Sequence, residues 1–239
     1  MSENTKINWL ILGGFIFLGL VSLGYLLGNA AIKFKEYERT VTSKGLSERE
    51  YDADIVIWPI QFVKASNDLA ELYNSIESNT SEIKEFLESK GIEPSEISSS
   101  SPAITDKSAQ QYGNNTKVEF RYTATQTVTV YSKKVKVVRG IMSTLSELGK
   151  KGIVFTGGDY QTQPDYIFTR LNEVKPEMIQ EATRNAREVA QKFAADSQSK
   201  LGKIKRASQG QFSINPRDKN NPQIKKVRVV STVVYYLSD

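Results

Sequence analysis

The sequence contains no cysteine and no histidine. Without cysteine there are no disulfides and no thiolate metal sites, and nothing marks an oxidising or a reducing compartment. Without histidine the chain lacks the commonest general base and the commonest transition-metal ligand. A Ser-His triad is therefore excluded for the serines at 98 to 101. Gly157-Gly158-Asp159 could cradle an anion, but no lysine-serine pair follows, so it is not a P-loop. Asp52 and Asp54, two apart, could pair as acid and base or hold a metal, and read more simply as solvated acids entering a strand. The sequence thus offers no catalytic, cofactor-binding or metal-binding residue, and no small-molecule substrate is inferred.

What the chain does have is one long apolar run near its start. No charge interrupts Ile7 to Ile32. The core of that run, Trp9 to Leu27, makes a helix of roughly 28 Å, close to the hydrocarbon thickness of a bilayer. In lipid an isolated stretch of this kind must be helical, because its amides have no water to bond. Trp9 and Tyr25 lie near the two ends, where amphipathic rings favour the interface, with Leu10, Phe15, Phe17, Leu20 and Leu27 between and beyond them. Gly28-Asn29-Ala30 has the spacing of a signal-peptidase site, but the apolar run exceeds the usual signal core and only Lys6 precedes it. The expected layout is a tail at 1–6, an uncleaved anchor at 7–32, a linker at 33–37 and a folded domain at 38–239. Lipid is a partner through the anchor.

Composition after the anchor is that of a folded chain, since the whole sequence is 39% hydrophobic and 25% charged. Net charge is +5 but uneven. From Lys200 to Arg228 nine basic residues face a single acid, Asp218, whereas Glu71 to Glu96 is acidic. Aromatics do not interleave with the basic residues, and no nucleic-acid motif is present. The basic stretch reads as solvated turns and edge strands, or as a surface facing the acidic helix of a neighbouring subunit. Lys219, Lys225, Lys226 and Arg228 form a candidate interaction patch. Lys33, Lys35 and Arg39 after the span mildly favour a cytoplasmic domain by the positive-inside rule.

Period-two and period-three-to-four patterns give the order β-β-α-β-β-α-β-α-β-β. Strands are expected at Tyr37–Ser47 and Glu50–Val63, the latter with Pro59 as a bulge or an edge. Asp68 caps a helix that places Leu72, Ile76, Ile83 and Leu87 on one face and glutamates on the other, ending at Gly91. Ile97 is a strand residue in a serine-rich segment, and Gln110–Thr116 a polar turn. Lys117–Ser132 alternates strictly, with Val118, Phe120, Tyr122, Ala124, Val128 and Val130 inward. A helix at Lys134–Gly152, a strand at Ile153–Phe168 and a long helix starting at Pro176 follow. That helix should bury Ile179, Ala182, Ala186, Val189, Ala190, Phe193 and Leu201 and end at Gly202. Strands at Lys203–Ile214 and Lys226–Leu237 close the chain. The class is α+β, with helices on one face of a largely antiparallel sheet.

Four pieces in this order resemble the SIMPL-domain family: RTVTSKGLSEREYDADIVIW (Arg39 to Trp58), KGIEPSEISSSSPAI (Lys90 to Ile104), FRYTATQTVTV (Phe120 to Val130) and EATRNAREVAQKFAADSQSKLGKI (Glu181 to Ile204). The resemblance spans nearly all of 38–239. It implies an α+β domain on the periplasmic side of a bacterial inner membrane, assembly into large ring-like or channel-like homo-oligomers, and no established catalytic residue. That side is opposite to the weak charge bias, and a short leading tail held inside as a signal anchor reconciles the two. The expected function is a non-enzymatic, single-pass structural protein whose domains assemble into a ring, cage or channel on the membrane. The alternative is a monomeric or dimeric accessory module that binds an envelope partner through the basic C-terminal turn.

Overall fold

The computed structural model describes residues 3–36, 39–109, 119–157 and 162–238. It begins with helix α1, Glu3–Glu36. This helix is longer than the expected anchor at both ends, because the polar residues that flank the apolar run continue its hydrogen-bonded turns. An α+β arrangement follows, as the alternating patterns require. Its strands form two largely antiparallel sheets rather than one. The chain divides into two units, one of Met1–Glu48, Lys175–Phe212 and Arg228–Asp239, the other of Arg49–Val174 and Ser213–Val227.

The larger sheet lies in the second unit. Its strands are β2 (Ile55–Ser66), β3 (Ile97–Ser99), β4 (Ala103–Asp106), β5 (Tyr122–Ser132), β6 (Val154–Thr156) and β7 (Asp165–Ile167), with β5 and β2 central. β2 is apolar on both faces and pairs antiparallel with β5 from Val56↔Ser132 to Ser66↔Tyr122. Pro59 causes neither bulge nor edge. It falls between the stretch paired with β7 (Ile55–Ile57) and the stretch paired with β6 (Gln61–Val63), where no ladder hydrogen bond is lost.

Helix α2 (Leu69–Ser89) packs on this sheet. Asp68 caps it, its carboxylate accepting from the Glu71 amide at 2.9 Å. Glu71, three residues after the cap, does not reach back to the Asp68 amide: its carboxylate accepts from Ser66 Oγ, and the Asp68 amide donates to Ser66 Oγ. Leu72, Ile83 and Leu87 are fully buried, each contributing about 1.5–3 kcal/mol. Gly91, at φ +95°, ends the helix in the left-handed region.

Several boundaries differ from the sequence reading. The first two strands are β1 (Thr40–Asp52) and β2, so the break falls at Ala53-Asp54. There the Ala53 amide donates to the Gln223 carbonyl and the Asp54 amide to the Ile167 carbonyl. The helix expected over 134–152 is two pieces, α3 (Val135–Met142) and α4 (Ser146–Gly149). Ser143 and Thr144 hydroxyls donate to the Gly140 and Ile141 carbonyls, competing with helix continuation. The strand expected over 153–168 is the two short strands β6 and β7, and its Gly157-Gly158 bend lies partly outside the described residues. The turn at Gln110–Thr116 and Val118 lie outside them too. In β5, Phe120 is exposed and precedes the strand, and Gln126 joins the inner face. Burial does not isolate Gln126: it accepts from Thr80 Oγ1 at 2.8 Å and donates to the Ser100 carbonyl at 2.6 Å.

In the first unit, helix α5 (Leu171–Asp196) packs on the sheet ordered β1, β10 (Ile224–Ser238), β8 (Lys200–Gln209). The short β9 (Ser213–Pro216) pairs with β10 in the second unit. Helix α5 starts five residues before Pro176, which lies inside it. It ends at Asp196, before Gln198 at φ +56°, so Gly202 belongs to β8. Its buried stripe is Met178, Ala182, Ala186, Ala190 and Ala194. Val189 and Phe193, expected inside, are exposed at 38% and 54%. The reason is on β1: a β-carbon at Gly45 would overlap the Ala182 carbonyl and the Ala186 amide nitrogen, so backbone meets backbone along the alanine line. Glu181 and Asn185, on the neighbouring line, bond Ser47 and the Leu46 carbonyl. Val189 and Phe193 continue that flanking line at four-residue spacing.

Candidate functional site

The apolar helix is the first candidate. Its stretch Ile11–Lys35 holds an 18-residue window of mean hydropathy 2.1, none of which is buried within the chain. Trp9, Phe15, Phe17, Leu20, Tyr25 and Leu27 are all exposed, and Leu10 lies in the same helix. Apolar side chains on every face, with no protein to cover them, make this helix a candidate membrane span.

The basic candidates differ in exposure. Lys219 is exposed on the turn between β9 and β10. Lys225 is only 7% exposed, and burial lowers its ammonium pKa, opposed by the Asp165 charge. It cannot serve as a contact residue, which corrects the sequence reading. Lys226, on the other face of the strand, is half-buried. Arg228 is exposed, with Glu48 at 3.9 Å. The turn itself is organised by Asp218, whose carboxylate accepts from the Asn220 and Asn221 amides and from Arg217 Nε. The Arg217 guanidinium pulls the Asp218 pKa down to about 2, with the Asn221 and Asn220 hydrogen bonds adding to the shift.

The two aspartates sit in different settings. Asp54 accepts from the Thr169 amide and hydroxyl and from Arg170 Nε, which fixes the chain ahead of α5, while Asp52 is exposed. Ser98 and Ser100 bond the backbone of β5 at Thr129 and Thr127. Among the described residues, no group of three acidic side chains is placed to hold a metal ion. A groove of about 460 Å³ beside α2 is lined by Lys64, Glu71, Asn74, Ser75, Ser78 and Asn79. Lys64 Nζ is engaged there with the Gly152 carbonyl at 3.3 Å. The groove is open to solvent.

The surface that sequence reasoning undervalued is β8. Leu201 is half-buried and every other residue of the strand is exposed. Only β10 pairs with it among the described residues. Lys200, Lys203, Lys205 and Arg206 lie on it with no acid between them. The signal was present as charge and as a run holding just Leu201 and Ile204 as large apolar residues.

An apolar helix leading into two antiparallel sheets, each with a helix packed on it, defines an α+β domain carrying a candidate membrane span. The chain belongs to the SIMPL family: residues 41–235 match that family's model, described as a protein of unknown function (DUF541). No curated protein matches the chain.

Proposed function

We propose that the chain is a non-enzymatic structural protein of a bacterial inner membrane. Helix α1 tethers it in a single pass, and its SIMPL domain stands on the periplasmic side. Copies assemble there into a ring-, cage- or channel-like homo-oligomer. The observation that supports this most is the apolar helix with none of its window covered by the chain, followed by a domain that presents opposite charges on separate elements. Tethering in one plane raises the local concentration, so modest contacts between heads suffice for assembly.

Light scattering on the detergent-extracted chain tests the reading. The expected particle mass is many times the 26.8 kDa subunit, and a single-subunit mass refutes assembly. The absence of cysteine supplies a clean background for testing the side of the membrane. With Lys219→Cys, intact cells are expected to take up a membrane-impermeant maleimide, and labelling only after lysis would place the domain inside. The rival reading, an accessory module binding through the basic turn, is weakened by the burial of Lys225.

A further inference from the structure

We propose that β8 of one copy docks on the outward glutamate face of α2 in a second copy. This rests on the assembly reading above and names the surfaces that would carry it. Strand β8 leaves one edge without a partner among the described residues. An edge of ten residues is normally blunted by charge to prevent pairing. Here the charge has one sign, with four basic residues and no acid. Ile204 sits among them at 50% exposure. Lys205 rests over the Tyr236 ring at 5.3 Å, and Lys203 and Arg206 make no salt bridge among the described residues.

Helix α2 is the complement. It carries five glutamates and one lysine. Glu77, Glu85 and Glu88 are exposed and make no salt bridge among the described residues. Tyr73 (50% exposed) and Leu69 (42%) offer apolar surface on the same helix. Lys203 and Arg206 are about 10 Å apart along a strand, and Glu77 and Glu85 about 12 Å along a helix, so the charge spacings on the two elements are comparable. Apolar side chains next to opposite charges are common in specific contacts. The two surfaces differ, so the contact is head-to-tail, and repeated with a closing rotation it makes a ring.

The test is a charge swap in the full chain, sized by light scattering in detergent. Reversing β8 (Lys203→Glu, Lys205→Glu, Arg206→Glu) is expected to raise the concentration needed for assembly about tenfold or more. Reversing α2 (Glu77→Lys, Glu85→Lys, Glu88→Lys) should do the same. Combining the two sets should restore assembly. Thermal melts by circular dichroism show whether each variant is folded. A second readout mixes copies carrying Arg206→Cys with copies carrying Glu77→Cys, which are expected to cross-link under oxidation. Assembly unchanged by either reversal, failure of the folded combined variant to recover, or absence of the mixed cross-link overturns the docking. If only binding to anionic vesicles weakens, the basic strand serves lipid and the docking is likewise overturned. A monomeric wild type overturns the assembly reading along with it.

Discussion

Replacing Gly45 with valine is expected to destabilise the unit built from β1, α5, β8 and β10 by on the order of 3 kcal/mol or more. A β-carbon there would overlap the Ala182 carbonyl oxygen and the Ala186 amide nitrogen. Both are backbone atoms of a regular helix, so no rotamer change relieves the clash. The helix must lift from the sheet, which also loosens the contacts of Ala186 and Ala190 with Val233 and Tyr235. Domains of this size are stable by only about 5–15 kcal/mol, so a loss of that order lowers the melting temperature by several degrees. Gly140 in α3 is the control. Its β-carbon position meets nothing, so Gly140→Ala is expected to be neutral or stabilising by about 0.5–1 kcal/mol. Thermal melts of the two variants decide the matter. A Gly45→Val protein that melts with the wild type would show that α5 does not rest on β1 through this glycine.

Introducing Leu20→Arg together with Val21→Arg is expected to abolish membrane retention. Both residues lie near the middle of the apolar run and are exposed, so no protein group would compensate the charges. Each arginine at the centre of a spanning helix costs about 2.5–3.5 kcal/mol on insertion scales. Two together outweigh the contribution of several leucines, and the span should no longer insert. After an alkaline wash the wild type is expected in the membrane pellet and the double variant in the supernatant. A double variant that stays in the pellet would mean that something other than α1 holds the protein there. The soluble domain of the released variant should melt as in the wild type, since this part of α1 makes no buried contact.

Much of the fold was legible where local chemistry and period agreed. Helix α2 has both a capping aspartate and a three-four apolar repeat, and it runs from the residue after that cap. Central strand β2 is apolar on both faces, but only the face of Val56, Trp58, Ile60 and Phe62 is fully buried, and Ile57, Pro59 and Val63 opposite are half-buried. The misreadings have specific causes. In α5 two apolar lines lie side by side, the alanines from 182 to 194 and the pair Val189 and Phe193. Hydrophobicity alone favours the larger side chains, but Gly45 opposite them leaves room only for alanine. The sequence around the glycine does not announce this contact, because its partners Ala182 and Ala186 lie far along the chain. The break between α3 and α4 comes from two hydroxyls that satisfy carbonyls locally, a choice that apolar periodicity does not report.

Lys225 was misplaced although the signal existed. In β10 the inward residues are Val227, Val229, Ser231, Val233 and Tyr235. Counting back by two puts Lys225 on the same inner face. Charge suggested a surface residue, and the alternation of the strand overrode it. The exposed side of β8 was half legible: its charge stood out in the sequence, but that it lies at a sheet edge follows only from the order of the three strands.

The central claim is that tethered copies of this domain gather into a closed assembly. Electron microscopy of the full chain, extracted in mild detergent and stained without cross-linking, addresses it directly. The account predicts uniform particles with rotational symmetry, each containing many subunits. A field of single 26.8 kDa subunits in their micelles, at concentrations matching those in the membrane, would contradict it.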